Sequence, residues 1–162
     1  MTERKKVDTP LILFGLDGRR FAMRIAHVLE VAAMVALDSF AADNNVYLGL
    51  ANRHGQPLPI YDLRALMHLS PDTVSVDSLF IVCQSQNTLA GFIVDDIHQV
   101  IYVAPEALTP ITSSSPAISE VATYEGQLIQ IIAPGPLLAS LAESQQIQQP
   151  GQFDAVDAGV SL

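Results

Sequence analysis

The sequence is poor in the residues that carry redox and charge chemistry: among 162 residues there is one cysteine, no tryptophan and only 15% charged side chains. A single cysteine excludes an intramolecular disulfide, and the position of Cys83 in the apolar run Leu79–Cys83 predicts a buried strand thiol and not a nucleophile. No apolar run approaches the roughly 20 residues that a membrane-spanning helix needs. Because Met1–Lys6 also lacks a secretory signal, we expect a cytoplasmic globular domain.

Basic residues are missing from most of the chain, because all eight lysines and arginines lie at or before Arg64. Seven acidic residues share that first part, whereas the remainder contains ten acidic residues and no lysine or arginine. The net charge of −9 is therefore concentrated in the second part. Such a field repels phosphates and anionic lipid headgroups, which argues against nucleic-acid binding and against direct insertion into a membrane.

Patterns typical of catalytic or metal sites are also missing. The histidines at positions 27, 54, 68 and 98 include no pair two or four residues apart, so they do not predict a zinc site. The adjacent Asp95 and Asp96 would point to opposite faces of a strand, and Ser113–Ser115 stand in a proline-bracketed loop without a neighbouring base. We therefore predict a protein that is not an enzyme and that has no cofactor and no metal.

Short apolar runs between turn residues dominate the chain and predict a mainly β fold. Leu11–Phe14 and Phe21–Ile25 flank a tight turn and predict a hairpin, whereas Ala26–Val35 fits a strand and a short helix equally well. A loop is expected over Thr109–Pro116 and a closing helix over Pro136–Leu141. Further strands are predicted at Leu79–Cys83, Leu89–Val94, Ile97–Val103, Ile118–Tyr124 and Gln127–Ile132.

The segment Val46–Arg64 is the most informative part of the chain. Gly49 inside an apolar run predicts a bulge or a close backbone approach, and Asn52–Gly55 supplies turn residues. Pro57 and Pro59 are typical of an edge strand because neither can donate to a sheet ladder. Asp62 stands where a helix N-cap is expected, before a helix over about residues 63–69.

Three blocks in this order resemble the CheW-like domain family. They are Val28-Leu29-Glu30-Val31, the stretch from Gly49 through Asn52 and Gly55 to Asp62-Leu63-Arg64, and Gly91–Val100 with its Gly-x-x-Val-Asp pattern. The resemblance implies two interlocked five-stranded SH3-like β-barrel subdomains with short helices. It covers about residues 11–142, so that residues 1–10 and 143–162 are expected to be flexible ends.

The same resemblance implies an adaptor of bacterial chemosensory arrays, located in the cytoplasm at the receptor arrays on the inner face of the membrane. Its partners would be the cytoplasmic tip of a chemoreceptor (a methyl-accepting chemotaxis protein) and the regulatory domain of a CheA-type histidine kinase. Carried over position by position, the residues expected to line or support partner surfaces are Val28, Glu30, Gly49, His54, Gly91, Ile97 and Val100.

The sequence departs from the family pattern where the family has Asn-x-Arg-Gly, because His54 replaces the arginine and Arg53 stands one residue earlier. In an extended backbone, Arg53 would point to the opposite face of the strand. Two alternatives therefore stay open: a divergent scaffold of a pilus or surface-motility system, and a β-barrel sensor domain that binds a small ligand.

Overall fold

The computed structural model describes residues 7–33, 46–70 and 78–147. Strands make up most of these ranges, and none of their helices is long and apolar enough to cross a membrane. The strands are β1 Thr9–Leu16, β2 Arg19–Arg24, β3 Val28–Ala33, β4 Tyr47–Arg53, β5 Gln56–Asp62, β6 Leu79–Ser85, β7 Thr88–Val94, β8 Asp96–Val103, β9 Leu108–Pro110, β10 Ile118–Tyr124 and β11 Gln127–Ile132. The α-helices are α1 Leu63–Leu66 and α2 Pro134–Ile147, and short 3₁₀ turns lie at Ile25–His27 and Pro105–Ala107.

Two sheets define two subdomains. The first is a six-stranded sheet in the order β8-β1-β2-β11-β10-β9, and the second is a five-stranded sheet in the order β3-β6-β7-β5-β4. The expected mainly β architecture with two SH3-like subdomains is confirmed. The first sheet contains one strand more than the expected five, the three-residue β9.

The two sheets exchange strands. After β2 the chain leaves the first sheet, and β3 pairs antiparallel with β6 of the second. After β7 it returns, and β8 pairs antiparallel with β1 of the first. We call β3 and β8 the exchanged strands. Each sheet is therefore completed by a strand that follows a hairpin of the other.

Alternation along the strands sorts the apolar side chains into three clusters, because neighbouring residues of a strand face opposite sides of a sheet. One cluster lies within the first sheet and includes Leu13 and Ile129. Another lies within the second and includes Leu58 and Phe80. The largest, which we call the shared core, joins both sheets with the start of α2; its members are Ile12, Phe14, Leu16, Phe21, Met23, Tyr61, Leu63, Ile81, Cys83, Ala90, Phe92, Val94, Ala117, Ile118, Ile132, Leu137 and Leu138.

Several local predictions are confirmed. The first hairpin pairs β1 with β2 in the expected place, and the ambiguous segment after it forms a 3₁₀ turn followed by β3. A bulge occurs between Tyr47 and Gly49, where the register with β5 shifts. Asp62 caps α1 by accepting a hydrogen bond from the Arg64 backbone N–H at 3.0 Å. Cys83 is fully buried in β6.

One local prediction is wrong, and another holds in part. Pro57 and Pro59 do not lie on an edge strand, because β5 is flanked by β4 on one side and by β7 on the other. Pairing with β7 begins only at Ile60, so both prolines occupy the stretch of β5 that pairs on one side alone, where a missing N–H costs no ladder bond. The expected loop over Thr109–Pro116 is present from Ile111 onward, and only its first two residues belong to β9, which pairs with β10.

The first and last elements of the described residues are β1 and α2. β1 begins at Thr9, and α2 continues to Ile147, beyond the expected end of the closing helix at Leu141. α1 ends at Leu66, before the expected position 69. Residues 1–6 and 148–162, which include most of the expected flexible ends, lie outside the described residues.

Candidate functional site

Two of the predicted residues, Glu30 and His54, meet Arg53 where the two edges of the second sheet come together. β3 and β4 are the two edges of that sheet, yet Nη2 of Arg53 lies 3.1 Å from Oε2 of Glu30. Nε2 of His54 lies 3.8 Å from the same oxygen. We call Glu30, Arg53 and His54 the seam cluster. It joins the two edges through side chains, as the closure of a barrel requires.

The local backbone explains why both basic side chains reach one carboxylate. His54 has a φ of 53°, in the left-handed region, within the turn between β4 and β5. The amide oxygen of Asn52 accepts a hydrogen bond from the Gly55 N–H at 2.8 Å, which stabilises this turn. The strand therefore ends before His54, so the extended backbone that would point Arg53 and His54 to opposite faces is not present here.

A cavity of about 240 Å³, which we call the seam cavity, lies beside this cluster. The Nε atom of Arg53 is buried and has no hydrogen-bond acceptor among the described residues. The cavity combines the three residues of the cluster with an amide and a mainly apolar wall. Its lining consists of Glu30, Ala32, Ala33, Ala51, Asn52, Arg53, His54, Leu58 and Phe80.

The remaining apolar residues of the predicted site lie on the exchanged strands. Val28 on β3 and Ile97 on β8 are half-buried against the shared core. Val100 is 45% exposed and pairs with the core residue Ile12. Since paired residues share a face of the sheet, Val100 lies on the face that packs on the shared core, at its open margin.

Exposed apolar side chains concentrate on these same two strands. Seven large hydrophobic side chains are exposed in the described residues, and Leu29, Val31, Val100 and Tyr102 lie on β3 and β8. Large exposed apolar groups in one region of a soluble protein are typical of a contact surface. The sequence pattern did not predict that Tyr102 is exposed, because its position on an open sheet edge depends on the strand exchange.

The two predicted glycines lie inside the second sheet. Gly49 is buried, has a φ of 141° and forms the β4 bulge. Gly91 is buried on β7, and a Cβ atom there would stand 2.5 Å from Cδ1 of Ile60 and 3.0 Å from Cδ2 of Phe80. Both residues therefore act on any partner surface through the shape of the backbone and not through a side chain.

An arginine that the sequence reasoning did not single out holds the crossover from β7 to β8. Nε and Nη2 of Arg64 donate to the two carboxylate oxygens of Asp95 at 2.8 and 2.6 Å. Asp95 also accepts a hydrogen bond from the Asp17 backbone N–H at 2.7 Å. Arg64 thus links α1, the first hairpin and the start of β8. The Asp-Leu-Arg motif was a usable signal, since its arginine follows a helix cap.

Two buried groups near the shared core have raised pKa values. Burial raises the pKa of the Asp62 carboxyl, and hydrogen bonds from the backbone N–H groups of Ala65 and Arg64 act in the opposite direction. Burial also raises the pKa of the Cys83 thiol to about 12, so it is a thiol and not a thiolate at neutral pH. Among the described residues no three His, Cys, Asp or Glu side chains are grouped to hold a metal ion.

Comparison of the sequence with known proteins finds one family model and several relatives. A family model described as "CheW-like domain" matches residues 10–142. The chain is 27% identical over 103 residues to the "Probable chemotaxis protein CheW" of Rhizobium etli, covering 64% of this chain and 66% of that protein. It is 25% identical over 159 residues to the "Chemotaxis protein CheW" of Bacillus subtilis, covering 94% and 99%.

A solved structure is similar as well. The crystal structure of the scaffolding protein TtCheW from Thermoanaerobacter tengcongensis superposes with a TM-score of 0.74 at 25% identity, covering 80% of this chain and 92% of that one. The likeness extends over both subdomains, since it includes most of the described residues.

Proposed function

The chain belongs to the CheW-like domain family, and on that premise we propose that it is a non-catalytic chemotaxis adaptor that couples chemoreceptors to a CheA-type histidine kinase. The names of its relatives support a chemotaxis scaffold. The proposal adds the two partners: the cytoplasmic tip of a methyl-accepting chemotaxis protein and the regulatory domain of the kinase. It also places the protein in the cytoplasm, at receptor arrays on the inner face of the membrane.

The observation that carries the proposal is the apolar margin of the exchanged strands. An adaptor needs surfaces that lose water on contact, because the energy of protein interfaces is concentrated in a few desolvated side chains. Val100 on β8 and Leu29 and Val31 on β3 are exposed, and Val28 and Ile97 of the same two strands are half-buried against the shared core. We propose that this margin receives an amphipathic helix of the receptor tip, which would bury such side chains in a groove.

The seam cluster supplies polar contacts on the second subdomain. His54 has a side chain that is 75% exposed, and Glu30 lies beside it on the exchanged strand β3. Charged groups at the rim of an interface set the specificity and the association rate more than the affinity. We therefore propose that Glu30 and His54 face a partner, while Gly49 and Gly91 support the surface from within the sheet.

The test is a titration of the purified chain with a cytoplasmic-tip fragment of a chemoreceptor from the same organism. Val100→Asp should weaken binding about thirtyfold, which corresponds to roughly 2 kcal/mol. Leu128→Asp is the matched control, because Leu128 is 71% exposed but lies on β11, away from the exchanged strands. Equal affinities for the wild type and both variants would place the receptor elsewhere.

Co-purification from the source cell tests the partners themselves. The tagged wild-type chain should retain both a chemoreceptor and a histidine kinase, and the Val100→Asp variant should lose the receptor. Recovery of neither partner with the wild-type chain would contradict the adaptor function. Identification of the retained receptor also assigns the output, either flagellar movement or a pilus or surface-motility system.

A further inference from the structure

The crossover from β7 to β8 consists of a single residue. Val94, the last residue of β7, pairs with Leu79 in the second sheet. Asp96, the first residue of β8, pairs with Gly15 in the first sheet. Only Asp95 stands between them, and its backbone N–H donates to the carbonyl of Gly15 at 3.0 Å. The contacts of this one residue therefore decide where β8 begins on the first sheet.

Arg64 holds the side chain of Asp95. Nε and Nη2 of Arg64 donate to the two oxygens of the Asp95 carboxylate at 2.8 and 2.6 Å, and Nη1 donates to the carbonyl of Ser70 at 2.7 Å. The Arg64 side chain is only 13% exposed. A bidentate pair that is largely removed from water is stronger and more specific in its geometry than a surface ion pair. Because α1 directly follows the central strand β5, Arg64 anchors the crossover to the second subdomain.

The same carboxylate is tied to the first subdomain. Oδ2 of Asp95 accepts a hydrogen bond at 2.7 Å from the backbone N–H of Asp17, in the turn between β1 and β2. Oδ1 of Asp17 in turn lies 3.7 Å from Nη1 of Arg64. One arginine–carboxylate pair thus joins the first hairpin, α1 and the start of β8.

The register of β8 changes soon after this anchor. β8 pairs with β1 alone, and the register between them shifts between Leu13 and Phe14. The partners of these two residues are Gln99 and Ile97, so that His98 is an extra, bulged residue. The bulge divides β8 into a first half, residues 96–98, and a second half that begins at Gln99.

Different contacts fix the two halves. In the second half, Ile101 and Val103 are buried in the cluster within the first sheet, which specifies the register there. In the first half, Asp96 is exposed and Ile97 is only half-buried, so apolar burial specifies the register less strongly. A slip of one residue turns a side chain to the other face of a sheet, so the direction of Ile97 depends on the anchor at Asp95.

We propose that Arg64 is a positioning residue of the partner surface. Through Asp95 it fixes the register of the first half of β8, and it thereby holds Ile97 against the shared core at the margin assigned above to the receptor tip. Its effect on the receptor rests on the proposed function, whereas its effect on β8 belongs to the chain alone.

NMR of the full chain without a partner tests the effect on β8. In Arg64→Gln the cross-strand NOEs between Ile97 and Phe14 should be lost, and those between Val100 and Ile12, beyond the bulge, should remain. Asp95→Asn should act in the same way, and the double variant should add nothing, because each change removes the same pair.

Arg24→Gln is the matched control for the NMR experiment. Nε and Nη2 of Arg24 both donate to Oε1 of Glu120, at 3.1 and 2.6 Å, within the same sheet. Loss of that pair should leave the NOEs between Ile97 and Phe14 in place. Melting temperatures establish that each variant is folded, and Arg64→Lys carries the same test where Arg64→Gln does not fold.

Titration with the receptor-tip fragment tests the effect on the partner. Arg64→Gln and Arg64→Lys should each weaken binding at least fivefold, since lysine keeps the charge but not the bidentate contact. Arg24→Gln should bind like the wild type. Ile129→Val, in the cluster within the first sheet, is the control for stability, because it should lower the melting temperature and leave the affinity unchanged.

Three outcomes are decisive. If the NOEs between Ile97 and Phe14 survive in the folded Arg64 variants, Arg64 does not fix β8 and the inference is wrong. If they are lost while the affinity stays that of the wild type, Arg64 stabilises the fold without positioning the partner surface, and the inference is wrong as well. If the wild type binds no receptor tip, the adaptor function fails, and the NOEs still decide what Arg64 does to β8.

Discussion

Arg53 and Glu30 form an ion pair across strands that have no backbone pairing with each other. β4 and β3 are the opposite edges of the five-stranded sheet, and Nη2 of Arg53 still lies 3.1 Å from Oε2 of Glu30. The sheet must therefore curl until its edges face each other, as the right-handed twist of β-strands favours. Arg53, next to His54, provides the guanidinium at this seam.

The energy of this pair can be measured with a double-mutant cycle of Glu30→Ala and Arg53→Ala. The two side chains are 35% and 24% exposed, so water screens the pair and a coupling energy of about 0.5 to 1 kcal/mol is expected in chemical denaturation. The pair between Arg24 and Glu120, of similar exposure, is the matched comparison and should give a similar coupling. A coupling near zero at the seam alone would mean that the pair does not stabilise the closed sheet.

Ile97 and Val100 are expected to differ in how much each contributes to the free energy of unfolding. Ile97→Asp places a carboxylate against the shared core and should lower the free energy of unfolding by about 2 to 4 kcal/mol. Val100→Asp, at the exposed margin, should cost about 0.5 kcal/mol or less. Urea denaturation of both variants measures the difference. Equal losses would show that Val100 is part of the core.

Gly91→Ala tests whether that glycine is required by the packing of the second sheet. Its added methyl group would meet Ile60 at 2.5 Å, so the variant should lose about 1 to 3 kcal/mol of stability. Gly135→Ala at the start of α2 is the control, because the nearest atom to its Cβ is the rotatable Ser85 hydroxyl at 3.1 Å. That control should be neutral or slightly stabilising. A Gly91→Ala protein that melts like the wild type would contradict this account.

The raised pKa of the Asp62 carboxyl predicts in which direction the stability of the fold changes with pH. Its pKa is raised in the folded state, so its stabilising contribution is complete below the unfolded pKa and is lost as the pH rises through the folded pKa. Asp62→Asn does not titrate at this site and still caps α1. Between about pH 3 and pH 7, the melting temperature of the variant relative to the wild type should therefore rise. A constant difference would show that Asp62 has an ordinary pKa.

Cys83 should be unreactive in the native protein. Its burial and its pKa of about 12 leave almost no accessible thiolate at about pH 8, so iodoacetamide should label it only after denaturation. Mass spectrometry of the native and urea-denatured chain measures the labelling. Complete labelling of the native protein within minutes would mean that β6 opens readily to solvent.

Much of the fold was predictable because its signals are local. Alternating apolar residues around Asp17 and Gly18 specify the first hairpin, Gly49 marks a bulge and Asp62 marks a helix start, and each depends on neighbours in the sequence. The position of Pro59 was not predictable in this way. Whether β5 is an edge strand or a central strand depends on its pairing with β7, some thirty residues later in the chain.

In the candidate site, too, some residues were identifiable from the local sequence and others are brought together only by the fold. Glu30 and His54 were identified from motif positions. The contact of Arg53 with Glu30 was not, because it depends on the left-handed backbone conformation of His54, which a strand pattern does not reveal. Arg64 and Asp95 are 31 positions apart and are brought together by the β7 to β8 crossover. Side-chain pairs of this kind follow from topology, which a single sequence specifies only through its complete fold.

The strand exchange also limits how the molecule can be divided. A fragment that ends before β6 carries β3 without the strand with which it pairs, and a fragment that begins at β8 lacks β1. Neither half is a complete sheet, and each has an open edge that invites pairing with another chain. The same connections that interlock the subdomains within one molecule would, between two molecules, build a domain-swapped dimer with unchanged contacts.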